Sequence, residues 1–302
     1  MTREELNKEI QKEIFDEQNE RKRQKIIKII IKLICFVIVF FTIFYAYTTY
    51  ISTVKISVRE YRITNKKIPN SFNGLKIIQL SDLHFGSTMF DDNVDEIQKM
   101  VNIRKPDIVV FTGDLIDKNY KLTSKNQEKL IAKLKNIKAS LGKYAILGDE
   151  DNEMISTIFN QSNFQVLRNE GDLIYKDDDN SILLVGISSK EKDIDKAYDY
   201  FSKENHNSNI YTITIFHEPD TIDDIISKYN SDLALAGHSH NGNIRIPIIN
   251  YPLYKSKGAK KYNQDYYKIN NTELYISSGL GTKTGIRLFC RPSINFFRLS
   301  NK

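Results

Sequence analysis

Between Leu33 and Val54 the chain runs for 22 residues without a charge, and Leu33–Ala46 (LICFVIVFFTIFYA) is almost wholly apolar. A helix rises 1.5 Å per residue, so about 20 such residues cross a hydrocarbon layer of roughly 30 Å. Ile29, Ile30 and Ile31 extend the run, and Lys32 can snorkel to the headgroups. A buried soluble helix and a cleaved signal peptide are the competing readings. Against a signal peptide, some 28 hydrophilic residues precede the run. Tyr45, Tyr47 and Tyr50, rather than a small-x-small cleavage pattern, follow its core. The sequence thus predicts a charged, helical cytoplasmic segment over 1–28, a transmembrane helix over 29–51 and a folded domain over 56–302. Arg21, Lys22, Arg23, Lys25, Lys28 and Lys32 form a basic cluster that outweighs Lys55, Arg59 and Arg62 on the far flank. The positive-inside rule then places the N-terminus in the cytoplasm and the domain outside the cell, held to the cell membrane by a single pass.

The external segment alternates short apolar runs with amphipathic stretches. Leu75–Leu80, Ile108–Thr112, Tyr144–Leu147, Ile182–Ile187, Ile210–Phe216 and Leu233–Ala236 read as buried strands. Val94–Ile103, Lys125–Ile137 and Asp220–Lys228 read as helices between them. That alternation predicts an α/β domain. The last 60 residues carry more strand than helix, at Asn243–Ile246, Tyr266–Ile269, Leu274–Ile276 and Asn295–Leu299. No linker rich in Pro, Gly or Ser divides residues 56–302. Two cysteines, Cys35 and Cys290, exclude a disulfide framework. The net charge is +6, and beyond residue 32 there are 35 basic against 31 acidic residues. No nucleic-acid partner is expected from so weak a balance, and nothing in the sequence fixes an oligomeric state.

The chemistry lies where the apolar runs stop. They end in Ser81-Asp82-Leu83-His84, Gly113-Asp114, Gly148-Asp149-Glu150-Asp151, His217 and Gly237-His238-Ser239-His240. Five strands thus deliver carboxylates or imidazoles at their C-terminal ends, the edge where sites assemble in α/β sheets. Of the five histidines, only His206 falls elsewhere. Each piece alone is common: a Gly-Asp after a strand is ordinarily a turn, and a lone histidine ordinarily a bonded core residue. Together they describe a metal centre, and mixed carboxylates and imidazoles suit Mn, Fe or Zn.

As an ordered set, these residues resemble the calcineurin-like metallophosphoesterase superfamily. GHSHNGNIRIP, KYNQDYYKI, LYISSGLGT and RLFCRPSINFFRL are similar to its membrane-associated bacterial subgroup, over roughly residues 56–302. The resemblance implies a four-layer fold, a β-sandwich core flanked by helices, with two divalent metal ions at the strand ends. It implies that Asp82, His84, Asp114 and His240 hold one ion. Asp114, Asp149, His217 and His238 would hold the other, with Asp114 as the bridge.

One segment departs from the family pattern Gly-Asn-His-Asp/Glu. Asp149 stands for the asparagine, keeping an oxygen ligand and adding negative charge. Glu150 stands for the histidine that the family sets beside the leaving-group oxygen, and a carboxylate donates no hydrogen bond unless protonated. Either Asp151 or Glu153 could realign to take that role. The expected function is hydrolysis of a phosphoester or pyrophosphate in a lipid-linked, cell-envelope or nucleotide substrate, the partner being a phosphorylated small molecule or lipid. The alternative is a metal-binding, catalytically impaired envelope protein that binds a phosphorylated ligand or partner. Lys255, Lys257, Lys260 and Lys261, set among Tyr251, Tyr254 and Tyr262, either contact such a substrate or form a solvated loop. Gly279, Gly281 and Gly285 lack a Walker pattern and read as a turn beneath the site.

Overall fold

A computed structural model describes residues 2–203, 209–249 and 251–302. It divides into two units, Met1–Thr48 and Thr49–Lys302. In the first unit, helix α1 (Arg3–Ala46) starts at a capping box in which Thr2 and Glu5 bond each other's backbone N–H. No α1 residue is buried. It is the one helix among the described residues long and apolar enough to cross a membrane.

The second unit opens with strand–helix alternation: β1 (Ser57–Thr64), β2 (Lys76–Leu80), α2 (Asp91–Ile103), β3 (Ile108–Thr112), α3 (Ser124–Lys135), β4 (Gly142–Ile146), α4 (Glu153–Gln161) and β5 (Gln165–Val166). It continues through β6 (Glu170–Tyr175), β7 (Ser181–Gly186), α5 (Ile194–Lys203), β8 (Thr212–Ile215), α6 (Ile222–Lys228) and β9 (Leu233–Ala236). A strand-rich end follows: β10 (Arg245–Ile246), β11 (Tyr251–Pro252), β12 (Tyr266–Ile269), β13 (Thr272–Ile276) and β14 (Ser293–Ser300). Two six-stranded sheets form, in the orders β1-β14-β2-β3-β4-β5 and β12-β13-β9-β8-β7-β6. Strands β2, β3 and β4 run parallel, as do β7, β8, β9 and β13.

Side chains alternate across each strand, and here both faces are buried. Ile77, Ile108, Val110 and Ile146 meet Ile182, Leu184, Ile213 and Leu235 between the sheets. Their neighbours Ile78, Val109, Phe111 and Ala145 turn the other way, onto Val94 and Ile97 of α2, Leu130 of α3 and Phe159 of α4. In the second sheet, Leu183, Val185, Ala234 and Ala236 pack on Ala197 of α5 and on Ile222 and Ile225 of α6. The result is four layers, helix–sheet–sheet–helix, as the resemblance implied. Because the central strands are covered on both sides, they read in sequence as unbroken apolar runs.

Two elements differ from the sequence reading. β1 pairs in parallel with β14 along all eight residues at a sheet edge. Its sequence, SVREYRIT, carries too much charge to stand out as a strand. The expected strand Asn243–Ile246 shrinks to two residues, because Asn241 and Asn243 adopt left-handed conformations (φ 52° and 55°) that break extended backbone. Asp177–Asp179 lies between antiparallel β6 and β7, at a hairpin tip.

Candidate metal centre

The strand ends bend sharply. Asp82, His84, Asp114, His238 and His240 all have left-handed φ angles, between 42° and 63°. Such conformations are sparsely populated by non-glycine residues and gather at functional sites. The bends let consecutive residues face one point instead of opposite sides of a sheet. Gly113 permits the crowding: a Cβ there would stand 2.6 Å from His217 Nδ1.

Two groups of potential ligands converge. Asp82, His84 and His240 offer atoms within 4.8 Å of one another, and so do Asp114, Asp149, His217 and His238. In the first group, His240 Nε2 lies 3.1 Å from His84 Nε2 and 3.3 Å from Asp82 Oδ1. In the second, His217 Nε2 lies 3.3 Å from Asp114 Oδ2 and 3.1 Å from Asp149 Oδ1. His238 Nδ1 completes it, 3.0 Å from Asp149 Oδ1. Asp114 stands between the groups, its Oδ2 also 3.7 Å from His84 Nε2.

Backbone carbonyls assign the tautomers. His217 Nδ1–H donates to Thr112 O (2.6 Å), His238 Nε2–H to Lys257 O (2.7 Å) and His240 Nδ1–H to Gly281 O (3.0 Å). Each bond leaves the opposite nitrogen facing its cluster with a lone pair, the arrangement typical of ligating histidines. Asp114 Oδ2 and His217 Nε2 are buried and have no hydrogen-bond partner. Two such groups left facing each other would be costly, and a cation between them removes that cost. The donor set therefore fits divalent metal ions.

Burial disfavours the charged form of His84 and holds its pKa below the usual value, despite Asp114 and Asp82. Burial, then the neighbouring His84 and Arg287, hold His240 well below it. Burial acts the same way on His217 and His238, but there carboxylates prevail. Asp114 and Asp149 hold His217 well above the imidazole range, and Asp149 raises His238. Conversely, burial would raise Asp114 and Asp149, yet their histidine partners keep both well below the usual carboxylate range.

Glu150 lies at the side of this centre, with its Oε2 buried and 3.7 Å from His84 Nδ1. Its Oε1 meets Lys283 Nζ at 3.0 Å and Lys118 Nζ at 3.3 Å. Lys283 Nζ is also 3.6 Å from Asp114 Oδ2. Burial opposes charge on Lys283, but Asp114 and Glu150 push its pKa up to about 12. Glu150 joins His84 and Asp117 in a third potential ligand group.

Asp151 and Glu153, the two candidates to stand in for the family histidine, are both engaged elsewhere. The Asp151 carboxylate accepts backbone N–H bonds from Asp114 (2.8 Å), Leu115 (3.0 Å) and Gly148 (2.8 Å), which tie the β3 and β4 ends together. Burial, then the charge of Asp114, push it up to about 7. Glu153 is exposed and paired with Arg168. His206 lies outside the described residues.

Sequence reasoning missed Lys118, Lys283 and Arg287. Arg287 is fully buried, and its Nη2 donates to Gly281 O (2.6 Å) while lying 3.4 Å from His240 Nδ1. Cys290, a free buried thiol, donates to His240 O at 3.3 Å. The signal available was one cation inside a glycine-rich turn, Gly281-Thr282-Lys283-Thr284-Gly285. Of the lysines after the last histidine, Lys261 pairs with Asp223 (2.7 Å) and Lys255 lies over the Tyr251 ring. Lys257 lines a cleft of about 650 Å³ together with Asp149, Glu150, His238, Tyr254 and Lys283.

The chain is similar to known proteins along most of its length. The family model for the calcineurin-like phosphoesterases matches residues 75–242. The metallophosphoesterase YkuE of Bacillus subtilis is 28% identical over 270 residues, which cover 85% of this chain and 90% of YkuE. The UDP-2,3-diacylglucosamine pyrophosphatase LpxG of Chlamydia muridarum is 26% identical, over 77% of this chain and 86% of LpxG. Among solved structures, the NAD nucleotidase of Haemophilus influenzae overlays 68% of this chain and 45% of its own at a TM-score of 0.47 and 14% identity.

Proposed function

This chain belongs to the calcineurin-like phosphoesterase family, and from that premise we propose that it is a membrane-anchored, two-metal phosphohydrolase acting on a phosphoester or pyrophosphate of a lipid-linked or cell-envelope substrate. The observation that carries the reading is Asp114 Oδ2. It is buried, without a hydrogen-bond partner and within 3.7 Å of a histidine from each cluster, which is where a carboxylate bridging two ions would stand. In this reading Asp82, His84, Asp114 and His240 hold one ion, and Asp114, Asp149, His217 and His238 the other. Bound divalent ions there supply Lewis-acid polarisation of phosphoryl oxygens and lower the pKa of water.

The chain's own residues do the rest. Thr112, Lys257 and Gly281 carbonyls fix the imidazoles before substrate arrives, so little reorganisation is left for the reaction. Lys283, seated on Glu150, gives a charged N–H donor at the side of the centre. It can stabilise a departing oxygen or a second phosphate, the work that the family pattern assigns to a histidine. Glu150 is then a positioning residue: one oxygen holds Lys283 and Lys118, and the other faces His84. The preference for a lipid-linked substrate over a nucleotide is supported by the apolar α1 and by the pyrophosphatase LpxG among the relatives. The basic cluster at Arg21–Lys32 supports a cytoplasmic N-terminus and an external catalytic domain.

The test is metal analysis of the full chain together with turnover of mono-, di- and pyrophosphate substrates under Mn, Fe and Zn. Two ions per chain and metal-dependent hydrolysis are expected. Two ions with no turnover on any substrate would leave the metal-binding envelope protein instead. Protease added to intact protoplasts should remove the domain, and protection until lysis would reverse the orientation.

A further inference from the structure

The segment that carries His238 and His240 continues into a short hairpin, β10 and β11, in which Arg245 pairs with Pro252 and Ile246 with Tyr251. Most of its apolar side chains are not folded inward. Ile248 is 102% exposed, Ile249 66%, Leu253 62% and Tyr254 69%. Phe289, one residue beyond the bridge that joins Ile244 to Leu288, is 61% exposed. Scattered single apolar residues on a surface need no explanation, but a contiguous group of large ones marks an interaction site. Ile248 also has φ 78°, a rare conformation for a β-branched residue.

Three observations select the occupant. First, the chain itself brings a bilayer: α1 is apolar enough to cross one, and residues 52–56 alone separate the end of that helical segment, Ile51, from β1. Second, the apolar tip is followed at once by Lys255, Lys257 and Lys260, and its own aromatics are Tyr251 and Tyr254. An apolar tip backed by tyrosines and lysines is the composition that settles at the boundary of acyl chains and anionic headgroups. Third, the same segment forms the mouth of the metal centre. Tyr254 and Lys257 line the cleft, and the Lys257 carbonyl holds His238.

We propose that residues 246–249 and 251–254 insert into the bilayer surface and seat the mouth of the cleft in the headgroup layer, so that the phosphate group reaching the centre is carried by a membrane lipid. The proposal rests on the phosphohydrolase reading and adds to it the source of the substrate. Ile248, Ile249 and Leu253 enter the acyl region, Tyr251 and Tyr254 lie at the boundary, and the lysines meet lipid phosphates. A second copy of the chain, or another protein, covering the same patch is the competing outcome.

The chain contains no tryptophan, so a single introduced one reports its own surroundings. Ile248→Trp is made in the full chain, which is reconstituted in vesicles of phosphatidylethanolamine and phosphatidylglycerol with brominated acyl chains. The control is Ile103→Trp, at the end of α2 and 77% exposed. The expected result is strong bromine quenching for Ile248→Trp and none for the control. Absence of quenching at Ile248→Trp overturns the proposal, and so does shielding of that tryptophan that grows with protein density but is indifferent to bromine, the mark of a second copy. Paired Ile248→Asp and Ile249→Asp should lower hydrolysis of a lipid pyrophosphate in vesicles by about tenfold or more while leaving a soluble aryl phosphate unaffected. Equal turnover of the lipid substrate by this variant and the parent chain would also overturn it. If the Ile248→Trp chain is quenched in bilayers yet the parent chain hydrolyses no phosphate, the insertion stands and the phosphohydrolase reading fails.

Discussion

The two ligand clusters are built from the same residue types but differ in how they hold protons. His84 and His240 face each other and Asp82, and burial lowers the pKa of both imidazoles. His217 and His238 face Asp114 and Asp149, which raise the pKa of both against the effect of burial. The first cluster is closed, with Asp82 and His84 fully buried. The second opens to the cleft through Asp149, whose side chain is 41% exposed. A metal must displace protons from its ligands. It therefore meets little proton competition at the first cluster and more at the second, beside the cleft.

The largest effect that could break this comparison comes from the residue the clusters share. Asp114→Ala should deplete both ions and lower turnover of an aryl phosphate by roughly 10⁴-fold, whereas His84→Ala should deplete mainly one. Full metal content in Asp114→Ala would mean the clusters are independent.

Next in size is the departing-group donor. Lys283→Met should lower turnover of alkyl phosphates by about 10²-fold, and of aryl phosphates less, because a weakly basic leaving oxygen needs less help. Metal content should stay near that of the parent chain. Adding Glu150→His to Lys283→Met should recover part of the loss by restoring an imidazole. A fall on every substrate would instead make Glu150 itself a working acid, base or ligand.

A smaller effect belongs to Arg287, which acts on the first cluster through His240 and the Gly281 carbonyl. Arg287→Lys should weaken one ion by about 10-fold to 100-fold and leave the other in place. Equal weakening of both would show that the glycine turn serves the whole centre.

The mildest perturbation is pH. Raised imidazole pKa values at His217 and His238 mean that protons occupy them at a higher pH than at His84 and His240. As pH falls through the ordinary imidazole value of about 6.5, the second cluster should release its ion first. Metal analysis along a pH series reads the order, and simultaneous loss would erase the distinction between the clusters.

How much of this was legible in the sequence depended on what each residue signals locally. Runs buried on both faces, such as Ile108–Thr112, announce themselves, and the polar residues that end them stand out against such runs. β1 did not, because one edge of a sheet tolerates the charges of SVREYRIT. Lys283 and Arg287 were illegible for a different reason. They reach the centre from a turn some 40 residues beyond His240 in the chain, and only the pairing of β13 beside β9 and of β14 beside β2 brings that turn under the site. Asp151 could stand in for the family histidine by proximity, yet its partners are backbone N–H groups, which no side-chain pattern advertises.

The five left-handed residues at the strand ends also set a bargain between durability and chemistry. Each holds a conformation that costs about 1 kcal/mol, together a sizeable share of the 5–15 kcal/mol by which a typical domain stays folded. Glycine would relieve the backbone at any of them and remove the side chain that does the work. Selection for heat tolerance alone would therefore erode the centre first, and a stabilised variant that has lost its metals should carry its substitutions at Asp82, His84, Asp114, His238 or His240.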